Sequence, residues 1–134
     1  MRIAFVCTAN SIRSQLADGI AHDVFPETWN IFSAGLGGAS IVHPLVLRVL
    51  AEKGFPNDHL YSKSIQEIPY SQLDVLVILN GATSWPATPA RVVHRPKGDP
   101  TIVNSTEPGA KLQAFRKLRD ELIKDLTRLY EELK

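Results

Sequence analysis

The chain has 134 residues, of which 44% are hydrophobic and 22% charged, and its formal net charge is +1. These values favour one compact domain, residues 1–134, that buries its core without a metal or a disulfide. The near-neutral charge argues against nucleic-acid and membrane partners, and no apolar run suits a signal peptide or a membrane span. We therefore expect a cytoplasmic protein whose single cysteine, Cys7, stays reduced and forms no internal disulfide.

Strand and helix patterns alternate along the first half of the chain. An apolar run at residues 3–6 predicts a buried strand. Apolar residues at four-residue spacing then predict a helix from Ser14, which Pro26 ends. Residues 29–33 predict a second strand and residues 44–53 a second helix, which begins with a proline. The glycines expected to close the second strand are Gly35, Gly37 and Gly38.

The second half of the chain continues the alternation. Residues 73–79 are almost continuously apolar and β-branched, which predicts a strand buried on both faces. Residues 90–94 predict a shorter strand, and residues 109–134 a long amphipathic helix. Together the elements predict an α/β fold, a three-layer sandwich in which a four-stranded parallel sheet carries helices on both faces. Ligand sites of such sheets lie outside the carboxyl ends of the strands.

The loop between the first strand and the first helix has the pattern Cys7, five residues, Arg13, Ser14. Backbone amides of such a loop can form an anion nest, and the helix that begins near Arg13 adds the positive end of its dipole. The guanidinium of Arg13 can grip two oxygens of a tetrahedral anion, and the same field favours the nucleophilic thiolate of Cys7. The oxyanion-binding residues that we predict are Thr8, Ala9, Asn10, Ser11, Ile12, Arg13 and Ser14.

Two loop side chains have further expected roles. The Ser14 hydroxyl can donate to Cys7, and Asn10 tolerates a left-handed backbone and can brace the loop by side-chain hydrogen bonds. The alternative is a buried cysteine that only packs, as free cysteines commonly do. We favour the anion site, because a loop with almost no other charge has little reason to end in Arg13.

Residues 6–19 resemble the active-site loop of the low-molecular-weight protein tyrosine phosphatase superfamily, and most of all its arsenate reductase branch. The other matching segments are Ser33-Ala34-Gly35, Ser62-Lys63-Ser64, Gly98-Asp99-Pro100 and residues 115–120. The resemblance implies a phosphatase-I-like fold. It also implies that Asp99 is catalytic, as general acid and later as base. From the residues alone, the Asp-Pro pair is equally a turn starter.

The chain departs from the family pattern in ways that bear on activity. Thr101 and Ile102 follow Asp99-Pro100 where phosphatases of the family usually have aromatics, which argues for a small inorganic oxyanion. Thioredoxin-coupled reductases use three cysteines in relay, but here Asn80 and Trp85, within residues 79–86, stand about where the resolving cysteines would. An internal relay is therefore excluded.

Two further departures lie in the loop itself. The family commonly has a glycine at the position of Ala9 and a cysteine at that of Ile12. A Cβ on Ala9 resists a positive φ angle, so a loop that needs this geometry would be strained or rearranged. We expect Ile12 to pack inward as an apolar substitute.

These observations lead to one leading hypothesis and two alternatives. We expect an enzyme that reduces arsenate with Cys7, Arg13 and Asp99, and whose adduct is resolved by an external thiol or a glutaredoxin-like protein. The alternatives are a phosphomonoesterase, in which water attacks a phosphocysteine, and a non-catalytic oxyanion-binding module. No cofactor is implied.

No metal is expected either, because no pair of histidines has metal-site spacing. The histidines are His22, His43, His59 and His94.

Overall fold

The computed structural model describes residues 1–37, 40–81 and 84–134. Gly38, one of the glycines expected to close the second strand, lies outside the described residues, as do Ala82 and Thr83 of the segment 79–86. The strands are β1 (Arg2–Val6), β2 (Asn30–Ala34), β3 (Val75–Ile78) and β4 (Arg91–His94). The α-helices are α1 (Arg13–Val24), α2 (Pro44–Glu52) and α3 (Ala110–Leu133). Two short 3₁₀ helices, Ile65–Glu67 and Tyr70–Gln72, precede β3.

Local sequence signals account for the ends of the first two helices. Phe25 is extended, as expected for a residue before proline, and its amide donates to the Ala21 carbonyl to close α1. Pro44 occupies the first turn of α2, where its missing N–H costs no helical hydrogen bond. His43 caps α2 by accepting a hydrogen bond from the Leu45 amide at Nδ1, at 3.1 Å.

The four strands form one parallel sheet in the order β2-β1-β3-β4. Val6 at the end of β1 pairs with Ala34 of β2 and with Ile78 of β3. The carboxyl ends of these three strands therefore meet at one edge of the sheet. Cys7 leaves the sheet at the centre of this edge, where such folds place their ligand sites.

The two faces of the sheet are covered differently. Ile3 and Phe5 of β1 point into the larger core, which includes buried residues of all three α-helices. Ala4 and Val6 point to the opposite face, where Ile68 and neighbouring residues of the 3₁₀ segment pack. This arrangement confirms the predicted α/β sandwich with a parallel four-stranded sheet. The second face is covered by 3₁₀ helices and loops, and the α-helices share the first.

Helix α3 is the longest element, and its buried residues recur every three or four positions. Arg116 and Arg119 of α3 both bind Glu52 at the end of α2, with shortest N–O distances of 2.5 and 2.8 Å. The charged face of α3 thus serves partly to hold α2. Within the described ranges, no helix is long and apolar enough to cross a membrane.

Candidate active site

Four consecutive carbonyl groups of the loop between β1 and α1 are bound from outside the loop. Their donors come from the segment after β2, from the N-cap of α2, from the segment before the 3₁₀ helices and from α1. The pairs are Leu36 N to Thr8 O (3.0 Å), Ser62 Oγ to Ala9 O (3.2 Å), Gln15 Nε2 to Asn10 O (2.9 Å) and His43 N to Ser11 O (3.0 Å). Because these carbonyls face outward, the loop amides are turned toward its concave side, as in an anion nest.

The concave side of the loop encloses a small cavity of about 110 Å³. Within the described part of the chain, the amides of residues 8–12 donate to no protein acceptor, so they are available to a ligand. The cavity is lined by Cys7, Thr8, Ala9, Ser11, Ile12, Arg13 and Asp99. Residues that the sequence places 92 positions apart, Cys7 and Asp99, therefore share one cavity.

Asn10 lies behind the loop rather than at the cavity. It is fully buried and has a φ of +53°, the left-handed conformation expected for it from sequence. Its Oδ1 accepts hydrogen bonds from the Lys63 amide and from Gln15 Nε2, each at 2.9 Å. Ala9 does not have a positive φ, so the strain that its Cβ could have caused does not arise.

A chain of hydrogen bonds leads from Asn10 to the cysteine sulfur. Asn10 Nδ2 donates to Ser14 Oγ at 2.7 Å, and Ser14 Oγ lies 3.0 Å from Cys7 Sγ. Since Ser14 Oγ accepts from Asn10, its own proton is available to point at the sulfur. The sulfur of Cys7, a side chain that is almost fully buried, therefore has a hydroxyl donor beside it.

Arg13, the first residue of α1, lines the cavity and is held from behind. Its Nη1 donates to the Lys97 carbonyl at 3.0 Å, and the Lys97 ammonium in turn forms an ion pair with Asp125 of α3. The guanidinium retains further donors for a ligand, because one arginine carries five N–H groups. Lys97 thus acts on the site through its carbonyl, while its charge is neutralised elsewhere.

Asp99 faces the cavity from the loop that follows β4. Its Oδ1 accepts hydrogen bonds from the Thr101 amide (2.8 Å) and the Thr101 hydroxyl (2.7 Å). Burial raises the pKa of Asp99, but these hydrogen bonds and the charges of Arg13 and His43 outweigh burial and hold the pKa below its ordinary value. The Asp99 carboxylate is therefore ionised at neutral pH when no ligand is bound.

Of the three positions at which the family pattern has a cysteine, two, Asn80 and Ile12, have structural roles at the loop. Asn80, just beyond β3, donates from Nδ2 to Thr8 Oγ1 at 2.7 Å. Ile12 is half-buried and packs against the larger core, as expected from sequence. Neither side chain can form a disulfide, so within this chain Cys7 has no thiol partner.

The structure also brings together a polar cluster, built on the buried Asp18, that sequence reasoning missed. Asp18, one turn of α1 beyond Ser14, accepts hydrogen bonds from Ser33 Oγ (2.6 Å) and from His59 Nε2 (3.0 Å). His22 Nδ1 lies 3.1 Å from the same Asp18 oxygen that His59 contacts. Asp18 and His22 are four residues apart on one helix, and this spacing is the signal that a search for histidine pairs overlooked.

The ionisable groups in and beside this cluster have shifted pKa values. Burial raises the pKa of Asp18, but hydrogen bonds from His22, His59 and Ser33 outweigh it and lower the pKa to about 2. The hydrogen bond to Asp18 raises the pKa of His22. Burial lowers the pKa of Lys63, whose ammonium donates to the Tyr61 carbonyl at 2.7 Å and lies 3.4 Å from Ser33 Oγ.

A parallel α/β sheet whose central strand ends in a Cys7–Arg13 anion loop, with Asp99 opposite, defines an oxyanion-handling cysteine enzyme. The sequence profile described as "Low molecular weight phosphotyrosine protein phosphatase" matches residues 2–134. The chain belongs to this family.

Relatives of known name place the chain near one branch of the family. Arsenate reductases of Halalkalibacterium halodurans and Bacillus subtilis are 34% and 32% identical to it over 124 residues, which is 90% of this chain and 88% of each relative. A solved arsenate reductase in the phosphate-binding state has a TM-score of 0.83 at 26% identity and covers 99% of this chain and 98% of its own. The solved arsenate reductase of Archaeoglobus fulgidus has a TM-score of 0.79 at 22% identity, and the match covers 96% of this chain and 98% of that one. At this identity it supports the fold alone.

We predict that Gly35→Ala damages the loop although Gly35 lies outside it. A Cβ at this position would lie 2.6 Å from Thr8 O and 3.0 Å from Asn10 N, which are backbone atoms without room to retreat. We expect a loss of about 1–3 kcal/mol in the free energy of urea unfolding and altered alkylation kinetics of Cys7. Gly37→Ala is the matched control, because a Cβ there meets nothing within 4 Å. Equal stability and equal alkylation in the two variants would contradict the prediction.

We predict that Asp18 makes stability sensitive to acid. Its pKa is about 2 in the folded protein against 3.8 ordinarily, so its contribution is complete above about pH 4 and disappears as the pH falls toward 2. The shift corresponds to about 2 kcal/mol. Between pH 4.5 and 2, the free energy of urea unfolding of the unsubstituted protein should therefore fall by about 2 kcal/mol more than that of Asp18→Asn. For Asp23→Asn, at an exposed position of α1, the free energy of unfolding should fall as much as for the unsubstituted protein. If the free energy of unfolding of Asp18→Asn depended on pH in the same way as that of the unsubstituted protein, the prediction would be refuted.

Proposed function

We propose that this chain reduces arsenate to arsenite, with Cys7 as the nucleophile and an external thiol as the reductant. The observation that carries the proposal is the cavity in which the Cys7 sulfur meets free loop amides, Arg13 and Asp99. Relatives named arsenate reductase, 31–34% identical over about 90% of the chain, support the same reaction class. They imply an oxyanion substrate and a thiol reductant.

The size of the cavity supports an inorganic substrate. Its volume of about 110 Å³ is well below the roughly 300–1,000 Å³ of sites that enclose drug-sized ligands. A tetrahedral oxyanion fits such a space, whereas the aryl ring of a phosphotyrosine would extend beyond it. Thr101, whose hydroxyl is bound to Asp99, and the highly exposed Ile102 occupy the two positions after Asp99-Pro100 at which phosphatases of the family usually have aromatic residues.

In the first step, the Cys7 thiolate attacks arsenic and a sulfur–arsenic bond forms while one oxygen departs as water. Loop amides and Arg13 carry the negative charge of the three remaining oxygens. Asp99 delivers the proton that the departing hydroxyl needs. Because Asp99 is ionised in the free protein, this proton arrives with the substrate: arsenate is protonated at neutral pH, and an anion beside Asp99 raises the pKa of its carboxyl.

In the second step, an external thiolate attacks the Cys7 sulfur of the adduct. A sulfur–sulfur bond forms, the sulfur–arsenic bond breaks, and its electron pair stays on arsenic, which leaves as arsenite after protonation. Arsenic is thereby reduced by two electrons, and the two thiols are oxidised to a mixed disulfide. A second external thiol then releases Cys7 by disulfide exchange. A low-molecular-weight thiol with a glutaredoxin-like protein meets this need, because the chain itself has no second cysteine.

We expect thiol-dependent arsenate reduction that Cys7→Ser abolishes. Asp99→Asn should lower kcat by roughly 10²- to 10⁴-fold, the usual effect of losing a general acid. Arg13→Lys should raise KM, because a lysine keeps the charge but loses the planar pair of donors. The assay measures arsenite release with a low-molecular-weight thiol, with and without a glutaredoxin. Asp58→Asn, an exposed aspartate outside the site, is the control and should keep full activity.

The contrary outcomes are distinct. Rapid hydrolysis of an aryl phosphate that depends on Cys7, without arsenite release from any thiol donor, would establish a phosphomonoesterase instead. Phosphate or arsenate binding in calorimetry without either turnover would establish a binding module.

A further inference from the structure

Asp18, His22 and His59 direct three metal-ligand atoms at one another on the side of α1. Asp18 Oδ1 lies 3.1 Å from His22 Nδ1 and 3.0 Å from His59 Nε2, and all three atoms lie within 4.8 Å of one another. The centroids of the two imidazole rings are 4.2 Å apart. His22 belongs to α1 and His59 to the segment after α2, so the cluster joins two elements that are distant in sequence.

The carboxylate of Asp18 is held in place independently of the histidines. Its Oδ2 accepts the Ser33 hydroxyl at 2.6 Å, and the Asp18 side chain is only 6% exposed. The side chains of His22 and His59 are 37% and 33% exposed, so solvent reaches the cluster from their side. Lys63 contacts Ser33, on the Oδ2 side, and binds neither histidine. Oδ1 is therefore a fixed oxygen ligand with an open approach.

We propose that Asp18, His22 and His59 form a binding site for a divalent transition-metal ion of the Zn²⁺ class. One carboxylate and two imidazoles are a donor set that suits such ions. Metal–ligand bonds of about 2.0–2.1 Å place neighbouring ligands of a tetrahedral ion about 3.3 Å apart. The two observed oxygen–nitrogen distances are within a few tenths of an ångström of this value. Water from the exposed side completes the coordination.

A metal ion can replace the protons that the cluster's hydrogen bonds require. In the metal-free protein both imidazoles turn a nitrogen toward the same oxygen, and each such nitrogen needs its own proton to donate. His22 Nδ1 is also 2.9 Å from the Asp18 carbonyl. A metal ion replaces the protons between the three side chains and binds all three lone pairs at once. The ion would also tie α1 to the segment after α2.

The test uses untagged protein carrying Cys7→Ser, because a cysteine thiolate is itself a ligand for these ions. Zn²⁺ binding is measured by titration calorimetry, and Co²⁺ is added as a probe whose visible spectrum reports tetrahedral coordination. We expect one equivalent of Zn²⁺, a tetrahedral Co²⁺ spectrum and a raised Tm with Zn²⁺. His22→Gln and His59→Gln should each weaken Zn²⁺ binding by at least tenfold. His94→Gln, which removes an exposed histidine of β4, should leave binding unchanged.

The partial exposure of His22 and His59 makes both glutamine variants compatible with the fold, which urea unfolding verifies before each titration. Absence of Zn²⁺ binding by the protein would overturn the proposal. Binding of equal affinity in His22→Gln and His59→Gln would overturn it as well, because the ion would then lie elsewhere. Neither result affects the proposed arsenate reduction, which is tested on protein that retains Cys7.

Discussion

The buried side chain of Asn10 is the constraint on which the loop between β1 and α1 depends. Its left-handed backbone turns the chain at the centre of the loop, and its amide group joins the loop to α1 and to the segment before the 3₁₀ helices. The same side chain orients the Ser14 hydroxyl toward the Cys7 sulfur. One polar group thus sets both the shape of the anion nest and the hydrogen-bonded contact with the Cys7 sulfur. An apolar residue of similar size could supply neither.

Lys63 links the loop to the polar cluster on α1. Its amide binds Asn10, while its ammonium lies beside Ser33, which donates to Asp18. A continuous set of hydrogen bonds and charge contacts therefore runs from the cysteine sulfur to the two histidines at the surface. The buried carboxylate of Asp18 has three polar partners, Ser33, His22 and His59, and their hydrogen bonds explain why it stays ionised inside the protein.

Features with local signals could be predicted from sequence. The apolar run of β3 predicts a strand, and the four-residue spacing of apolar residues in α1 predicts a helix. Cys7 and Arg13 lie in one short segment, so their pattern can be recognised locally. Features that depend on distant contacts could not. His59 meets Asp18 across 41 residues, and Asn80 meets Thr8 across 72, and nothing in the neighbouring sequence marks either pair. The asymmetric covering of the sheet is likewise a tertiary property, because 3₁₀ turns carry little periodicity.

Three of the four outward carbonyls of the loop between β1 and α1 are bound by parts of the chain that are synthesised well after the cysteine. Leu36, His43, Ser62 and Asn80 must all be in place before the loop has its final shape. Before these contacts form, nothing holds the loop carbonyls outward and the loop amides toward a ligand. The anion nest beside Cys7 therefore forms only with the complete fold. An incomplete chain thus carries the cysteine without the anion nest beside it.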